Sequence, residues 1–184
     1  MSRALWSFTA AATAAASLFV AGCATHYIPN TDVEDTDDNR KVVTFCEKYR
    51  HAVELKDVGE LVRLASPDYY EDGGNVDAAD DLDYAGLKEY LASRFGDARA
   101  IRYEIRYRRV LRQQLPQKDD GDPTHAKDAK GQDPLELIFV DYTYSASYRI
   151  PAAKGGDEWR RRVEDNRLEI LRYPDDTFLI VAGM

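Results

Sequence analysis

The sequence predicts an α+β domain in which helices come first and a long antiparallel sheet follows. Up to about residue 96, apolar residues recur at the spacing of amphipathic helices. From residue 101 onward they alternate with polar residues, as in half-buried strands. The long strands follow one another through short turns, so we expect them to pair antiparallel.

The N-terminal segment is typical of secretion rather than of a folded domain. Arg3 is the only charged residue before Cys23, and an apolar run from Leu5 to Phe19 follows it. The run ends in Val20-Ala21-Gly22-Cys23, which resembles the lipobox of bacterial lipoproteins. This resemblance implies a signal peptide over residues 1–22 and lipid attachment at Cys23.

Other interpretations of this segment are weaker. A transmembrane helix needs about 20 strongly apolar residues, whereas this run is rich in alanine and threonine and no basic cluster follows it. Cys23 as an ordinary core cysteine and cleavage near Ala14-Ala15-Ala16 remain alternatives. The second cysteine, Cys46, lies on the apolar stripe of the first predicted helix, where we expect a buried thiol.

The charge of the 184-residue chain limits its partners. The formal net charge is −8, which disfavours nucleic acid as a partner and electrostatic adhesion to anionic lipid. We therefore expect acyl chains on Cys23 to supply the link to the membrane. By resemblance to enteric lipoproteins, Ala24 after the cysteine implies a lipid-anchored, periplasm-facing protein at the outer membrane of the bacterial cell envelope.

Residues 23–35 are predicted to form the lipidated cysteine and a flexible acidic tether, and residues 36–184 the domain. Like charges at Asp32, Glu34 and Asp35 favour an extended tether. Thr36 is the expected N-cap of a helix from about residue 37 to residue 56. A shorter second helix ends before Pro67, because the residue before proline avoids helical geometry.

The middle of the chain is predicted to hold a short strand, an acidic loop and a third helix. The loop, within residues 71–83, lacks the glycine and glutamate positions of a calcium loop, and whether it binds calcium stays open. Asp83 is the expected cap of the third helix, whose stripe contains Tyr84, Leu87, Leu91 and Phe95.

Four strands are predicted to complete the chain. The first follows the alternating residues 101–108. Residues 115–134 contain three prolines and are expected to be a mobile loop. The later strands are predicted over residues 135–150, 158–173 and 177–184.

This order of elements resembles the nuclear transport factor 2-like, or SnoaL-like, superfamily. The segments that carry the resemblance are residues 42–49, 61–70, 166–172 and 177–184. The resemblance implies a cone-shaped, cystatin-like fold in which N-terminal helices pack in a strongly curved antiparallel sheet around a cavity. It also implies a homodimer. Some members are isomerases, cyclases or dehydratases and others only bind or scaffold, so the fold alone does not determine function.

Enzymes of this superfamily usually carry Asp/His or Tyr/Asp sets inside the cone. The three histidines fall in the tether, on the outward side of the first helix and in the long loop. The remaining candidates for lining a pocket are Tyr70, Asp141, Tyr142, Tyr144, Arg161, Asp165, Asn166 and Arg167. Ion pairs on the outward face of the sheet are the alternative for the charged members. We predict no catalytic residue, no metal site and no cofactor.

Three functions remain open at this point. The first is a non-catalytic envelope lipoprotein whose cone binds a small apolar ligand or a protein. The second is a SnoaL-like isomerase or lyase that uses a pocket Asp, either Asp141 or Asp165, with a tyrosine. The third is a structural module that dimerises through the open face of its sheet.

Overall fold

A computed structural model describes residues 25–72, 81–96, 98–116, 126–153 and 155–184. Residues 1–22, Cys23 and most of the acidic loop lie outside these ranges. The elements, in chain order, are α1 (Asp37–Leu55), α2 (Val58–Leu64), β1 (Tyr70–Glu71), β2 (Leu82–Asp83), α3 (Tyr84–Gly96), β3 (Ala100–Gln114), β4 (Glu136–Pro151), β5 (Asp157–Arg172) and β6 (Phe178–Ala182). The predicted α+β class is confirmed.

The main sheet has the strand order β3-β4-β5-β6, and each neighbouring pair is antiparallel. The strands β1 and β2 form a separate two-stranded ribbon. Irregular register occurs between Tyr107 and Arg109 on β3 and between Glu169 and Ile170 on β5. Such bulges bend a strand and increase its twist, which suits the curved sheet of this fold.

Helix α1 packs its apolar face on the sheet. The Thr36 hydroxyl accepts a hydrogen bond from the Asn39 N–H at 3.2 Å, which confirms the predicted N-cap. The helix ends at Lys56, which adopts left-handed geometry with φ of 55°. The buried residues of the helix are Val42, Val43, Phe45, Cys46, Tyr49 and Ala52. Cys46 is a buried core side chain, as predicted, and this burial raises the pKa of its thiol.

The described part of the predicted tether, residues 25–35, is folded against the domain. The Ile28 N–H donates to the Val33 carbonyl at 2.9 Å, and Val33 is only 2% exposed. The Asp32 carboxylate accepts hydrogen bonds from Arg106 at 2.7 Å and Arg108 at 2.8 Å. These bonds lower the pKa of Asp32 to about 2. The sequence predicted an extended acidic tether over these residues. In the structure, Arg106 and Arg108 from a distant part of the chain pair with the Asp32 carboxylate, so this charge does not repel its neighbours.

The loop expected to be mobile over residues 115–134 is described only at its two ends. Residues 117–125 lie outside the described ranges. The later end contacts the domain, because the Tyr173 hydroxyl donates to the Ala126 carbonyl at 2.9 Å. Lys130 forms an ion pair with Asp175 at 2.5 Å.

A buried carboxylate joins three strands at the end of the sheet near β6. The Glu136 side chain is 5% exposed and accepts from Arg112 at 2.7 Å and Arg172 at 3.0 Å. Gln114 donates to its second oxygen at 3.2 Å. This cluster satisfies the buried charge and links β3, β4 and β5.

Tyrosine supplies much of the buried polar surface. Seven tyrosines among the described residues have a raised pKa with burial as the largest cause, namely Tyr49, Tyr69, Tyr103, Tyr107, Tyr142, Tyr144 and Tyr173. For Tyr144 and Tyr173 the pKa is about 12. The folded chain therefore keeps these hydroxyls protonated at pH values where an ordinary tyrosine ionises.

We expect Glu136→Gln to lower the free energy of unfolding by about 2 kcal/mol, because it leaves two guanidinium groups without their shared carboxylate. Urea unfolding followed by circular dichroism measures the change. Glu60→Gln is the matched control, since Glu60 forms a solvent-exposed pair with Arg63, and its loss should stay below about 1 kcal/mol. Equal losses in both variants would contradict the structural role of Glu136.

We expect the free energy of unfolding to fall as the pH rises above about 10. The unfolded chain then releases tyrosine protons that the folded chain retains, so stability falls by at most about 1.4 kcal/mol per pH unit for each tyrosine, and by less for the partly exposed Tyr144, up to its folded pKa. Urea unfolding at pH 9, 10.5 and 11.5 in high salt, which screens overall charge repulsion, measures this slope. A constant free energy across this range would refute the expectation.

Candidate functional site

A cavity of about 280 Å³ opens between α3, α1 and the inner face of the sheet. Its lining residues are Tyr49, Val53, Leu61, Tyr90, Leu91, Arg94, Phe95, Tyr103, Tyr144, Asn166 and Met184. The walls are mainly aromatic and aliphatic, and the polar groups are few. This composition is typical of sites that bind small molecules.

Tyrosine rings form the floor of the cavity. The rings of Tyr49 and Tyr103 meet edge to face at 6.3 Å between centroids, and Tyr144 lies 5.3 Å from Tyr103. The ring of Tyr142 lies behind this layer, 6.2 Å from that of Tyr144. Because one of these tyrosines comes from α1, one from β3 and two from β4, the floor exists only when the helix packs on the sheet.

The hydroxyl groups of this floor are hydrogen-bond donors at neutral pH. Burial, together with the neighbouring Tyr142 and Tyr103, raises the pKa of Tyr49 well above its ordinary value. Burial likewise raises the pKa of Tyr142 and of Tyr103. Protonated hydroxyls in a partly desolvated site can donate to a carbonyl, phenolate or carboxylate oxygen.

Asn166 fixes one wall of the cavity. Its amide nitrogen donates to the Tyr142 hydroxyl at 3.1 Å and to the Gly183 carbonyl at 3.1 Å. Its side-chain oxygen accepts from the N–H of Arg167 at 2.8 Å. The residue therefore joins β4, β5 and the segment after β6, and it orients the hydroxyl of Tyr142.

Arg94 supplies positive charge at the side of the cavity formed by α3. Its guanidinium carbon lies 5.6 Å from the centre of the Tyr90 ring, within the range of a cation–π interaction. The lining residues that the structure describes include no aspartate, glutamate or histidine. Beside the lining residues, the Glu164 carboxylate accepts a hydrogen bond from the Tyr144 hydroxyl at 3.0 Å. The described chemistry of the cavity is thus hydrogen-bond donation, aromatic contact, one cation and one neighbouring carboxylate.

The structure brings three of the predicted pocket residues to this cavity and places the others elsewhere. Tyr144 and Asn166 line it, and Tyr142 lies directly behind it. Tyr70 is 52% exposed on the β1–β2 ribbon, where its hydroxyl donates to Asp81. The ribbon is a separate sheet, which explains why Tyr70 does not join the other tyrosines.

The charged candidates lie on the outer face of the sheet, because side chains alternate between faces along a strand. Asp141 bonds to Arg167 and Arg109 at 2.7 Å each, and these bonds lower the pKa of Asp141. Asp165 accepts from the Thr143 hydroxyl at 2.6 Å, and Arg161 donates to Ser145 at 3.0 Å. The sequence analysis had left open that the charged candidates form cross-strand contacts on the outward face of the sheet, and these are such contacts.

Several outer-face residues border an open depression of about 480 Å³. Its lining residues are Arg108, Asp141, Tyr142, Asp165, Asn166 and Arg167. Asp141 lines only the depression and Tyr49 only the cavity, whereas Asn166 borders both.

Sequence reasoning missed Tyr49, Tyr103 and Arg94 as parts of the site. Tyr49 falls within the apolar stripe of the first predicted helix and Tyr103 within the alternating residues 101–108, and no prediction singled out Arg94. The available signal was the repeated inward tyrosine on β3 and β4, which positions several hydroxyl groups toward one helix.

Within the described ranges, no group of three His, Cys, Asp or Glu side chains could hold a metal ion. Residues 73–80 of the acidic loop fall outside those ranges, so the open question of calcium binding there is not addressed. Among the described helices, none is long and apolar enough to span a membrane.

A comparison with models of known protein families finds no match. A comparison with curated protein sequences also finds no match. Solved structures do match: a conserved protein from Planctomyces limnophilus has a TM-score of 0.55 and 10% identity, over 79% of this chain and 92% of the other. The Kfla4162 protein from Kribbella flavida has a TM-score of 0.53 and 14% identity, over 79% and 87%.

A third similar structure has an assigned family. It is a candidate dehydratase from the NTF2-like family of Streptomyces avermitilis, with a TM-score of 0.50 and 13% identity over 79% of this chain and 93% of that protein. At these identities the similarity concerns the fold and not the activity. The chain therefore has the cone-shaped NTF2-like, or SnoaL-like, fold that the sequence predicted.

Proposed function

We propose that the protein is a membrane-anchored lipoprotein of the cell envelope whose cavity binds a small, mostly apolar molecule that carries one hydrogen-bond-accepting oxygen. The observation that carries this proposal is the tyrosine floor, in which rings from α1, β3 and β4 bring protonated hydroxyl groups to one apolar cavity. Aromatic and aliphatic walls would contact the apolar body of the ligand.

The dimensions and charge of the cavity limit the ligand further. A volume of about 280 Å³ is near the lower end of the 300–1,000 Å³ that is usual for ligand sites, so the ligand is small. Arg94 at the α3 side favours a partial or full negative charge on the ligand oxygen.

The second candidate function is a SnoaL-like isomerase or lyase. The observation that favours it is the common fold with the candidate dehydratase from Streptomyces avermitilis. Asp141 and Asp165, the bases expected for such a reaction, lie on the outer face. In this alternative a tyrosine hydroxyl in the cavity would act as the acid. Turnover of a carbonyl substrate would distinguish this enzymatic function from ligand binding without catalysis.

The anchor in this proposal rests on the sequence. The lipobox Val20-Ala21-Gly22-Cys23 and the apolar run before it support lipid attachment at Cys23. Ala24 supports export to the outer membrane, with the domain in the periplasm. The partners are therefore the membrane, through the acyl chains, and the small ligand.

We expect the full chain to bind 2-naphthol, a fused aromatic with one hydroxyl, and Tyr103→Phe to weaken that binding about fivefold to tenfold. The variant removes one buried donor, which is worth about 1 kcal/mol. Isothermal titration calorimetry measures the dissociation constants. Tyr27→Phe is the control, because Tyr27 is 56% exposed and does not line the cavity.

Two results would overturn the ligand-binding proposal. One is the absence of any heat of binding for the wild-type chain, and the other is equal affinity in the wild type and Tyr103→Phe. Thermal melting of both variants checks that each is folded before its affinity is compared.

We expect Cys23→Ser to remove acyl labelling and to release the protein from the membrane fraction, because serine cannot form the thioether to diacylglycerol. Metabolic labelling with a palmitate analogue and cell fractionation measure both effects. Cys46→Ser is the matched control and should keep the label, since Cys46 is buried in the core. Membrane retention of Cys23→Ser without label would refute the anchor.

A further inference from the structure

Residues 26–35 form a small hairpin, the N-terminal hairpin, ahead of α1. At its open end the Asp35 N–H donates to the His26 carbonyl at 2.7 Å. At its turn the Thr31 N–H donates to the Ile28 carbonyl at 3.0 Å. Backbone pairing therefore begins at residue 26, ten residues before the cap of the first helix.

The N-terminal hairpin is attached to the domain on three sides. Val33 is buried in the main core. The Asp32 N–H donates to the Tyr107 carbonyl at 2.9 Å, which joins the hairpin to β3. The Asn39 side chain donates to the Glu34 carbonyl at 3.0 Å, which joins it to α1. The hairpin therefore belongs to the folded domain and moves with it.

Little chain separates this hairpin from the proposed lipid attachment at Cys23. His26 follows Cys23 by three residues, so their Cα atoms can lie at most about 11 Å apart. An extended tether up to residue 35 would instead reach about 40 Å. Acyl chains hold Cys23 at the lipid surface, where the headgroup layer is about 5 to 7 Å deep. The hairpin must therefore lie within the headgroups or directly above them.

Tyr27 is the exposed aromatic residue of the N-terminal hairpin. Its neighbour Ile28 packs against the core, and alternation along an extended segment directs Tyr27 to the opposite side. More than half of the surface of Tyr27 is exposed. Tyrosine rings are favoured at the headgroup level of a membrane, where the ring is covered and the hydroxyl stays hydrated. A lipid surface is therefore a suitable environment for this side chain.

The charges of the N-terminal hairpin are balanced, although the chain as a whole is acidic. The acids of the hairpin are Asp32, Glu34 and Asp35. Arg106 and Arg108 bond to Asp32 at 2.7 Å and 2.8 Å. Arg40 bonds to Asp35 at 2.7 Å. Three arginines thus match three acids, so like-charge repulsion from anionic lipid does not keep this surface away from a membrane.

We infer that the N-terminal hairpin lies against the lipid surface, with Tyr27 at the level of the headgroups, and that the short connection to acylated Cys23 holds it there. The domain then presents one fixed face to the membrane instead of turning freely on a flexible tether. The inference rests on the proposed anchor at Cys23. It does not depend on the proposed ligand, because Tyr27 does not line the cavity.

Fluorescence quenching from the lipid surface tests this contact. In the mature chain Cys23 is acylated and Cys46 is buried, so Tyr27→Cys provides one reactive thiol for a fluorescent label. The labelled protein is reconstituted in vesicles of phosphatidylethanolamine and phosphatidylglycerol that contain a lipid with a nitroxide on its headgroup. We expect the label at residue 27 to lose about half or more of its fluorescence, because label and nitroxide then share the headgroup layer.

Tyr70→Cys is the matched control for the position of the label. Tyr70 is exposed to a similar extent. It lies on the β1–β2 ribbon, which bonds to the segment after β6, whereas the hairpin bonds to β3 at the opposite edge of the sheet. A label at residue 70 should keep nearly all of its fluorescence. Thermal melting and palmitate labelling check that each variant is folded and anchored.

A longer connection tests whether the short chain holds the hairpin in place. Insertion of about twelve glycine and serine residues after Ala24 adds a flexible linker of about 20 Å. It should restore most of the fluorescence at residue 27 while the acyl label remains. Equal quenching at residues 27 and 70 in an acylated chain would leave the hairpin in water or against a second copy. That result, or undiminished quenching after the insertion, would overturn this inference alone. Absence of acyl labelling in the wild type would overturn the anchor as well.

Discussion

The packing of α1 on β3 is the contact on which the rest of the structure depends. The 19-residue helix is about 28 Å long, whereas strands of 15 and 16 residues extend roughly 50 Å. The helix therefore cannot cover the inner face of the sheet along its whole length. Where α1 contributes Tyr49 to that face and α3 covers it from the side, a cavity forms. Among the described residues, β6 pairs with β5 only from Glu169 to Arg172.

Adjacent residues on β4 show how the sheet separates two kinds of chemistry. Tyr142 faces the core, where burial raises its pKa and keeps the hydroxyl neutral. Asp141 faces outward, where bonds to Arg167 and Arg109 lower its pKa and keep the carboxylate ionised. The tyrosine floor therefore has neutral hydroxyl groups and the outer face has paired charges, while one carboxylate, that of Glu164, accepts from the Tyr144 hydroxyl at the cavity. This separation supports binding through hydroxyl groups more than proton abstraction by a pocket aspartate.

Much of the fold was predictable because its signals are local. Thr36 caps α1 through a residue three positions away, and the helical and alternating periods predicted most of the elements to within a few residues. The strand β2 was not predicted, and β3 extends to residue 114, beyond the alternating residues 101–108. The folded segment over residues 25–35 was not predictable in this way, because Asp32 bonds to arginines 74 and 76 positions later in the chain. The site was only partly predictable: Tyr144 and Asn166 were candidates, but their partner Tyr49 is brought to them by helix packing.

By itself, the sequence determined the order of elements, the alternation that divides each strand into two faces and the resemblance to a lipobox at Cys23, since each of these is encoded in neighbouring residues. Only the tertiary structure decided which polar residues meet. It assigned Asp141, Arg161, Asp165 and Arg167 to the outer face, and it brought tyrosines from α1, β3 and β4 to one cavity. The physical reason is that alternation gives two faces of a strand, whereas only the buried helix determines which of them becomes the interior.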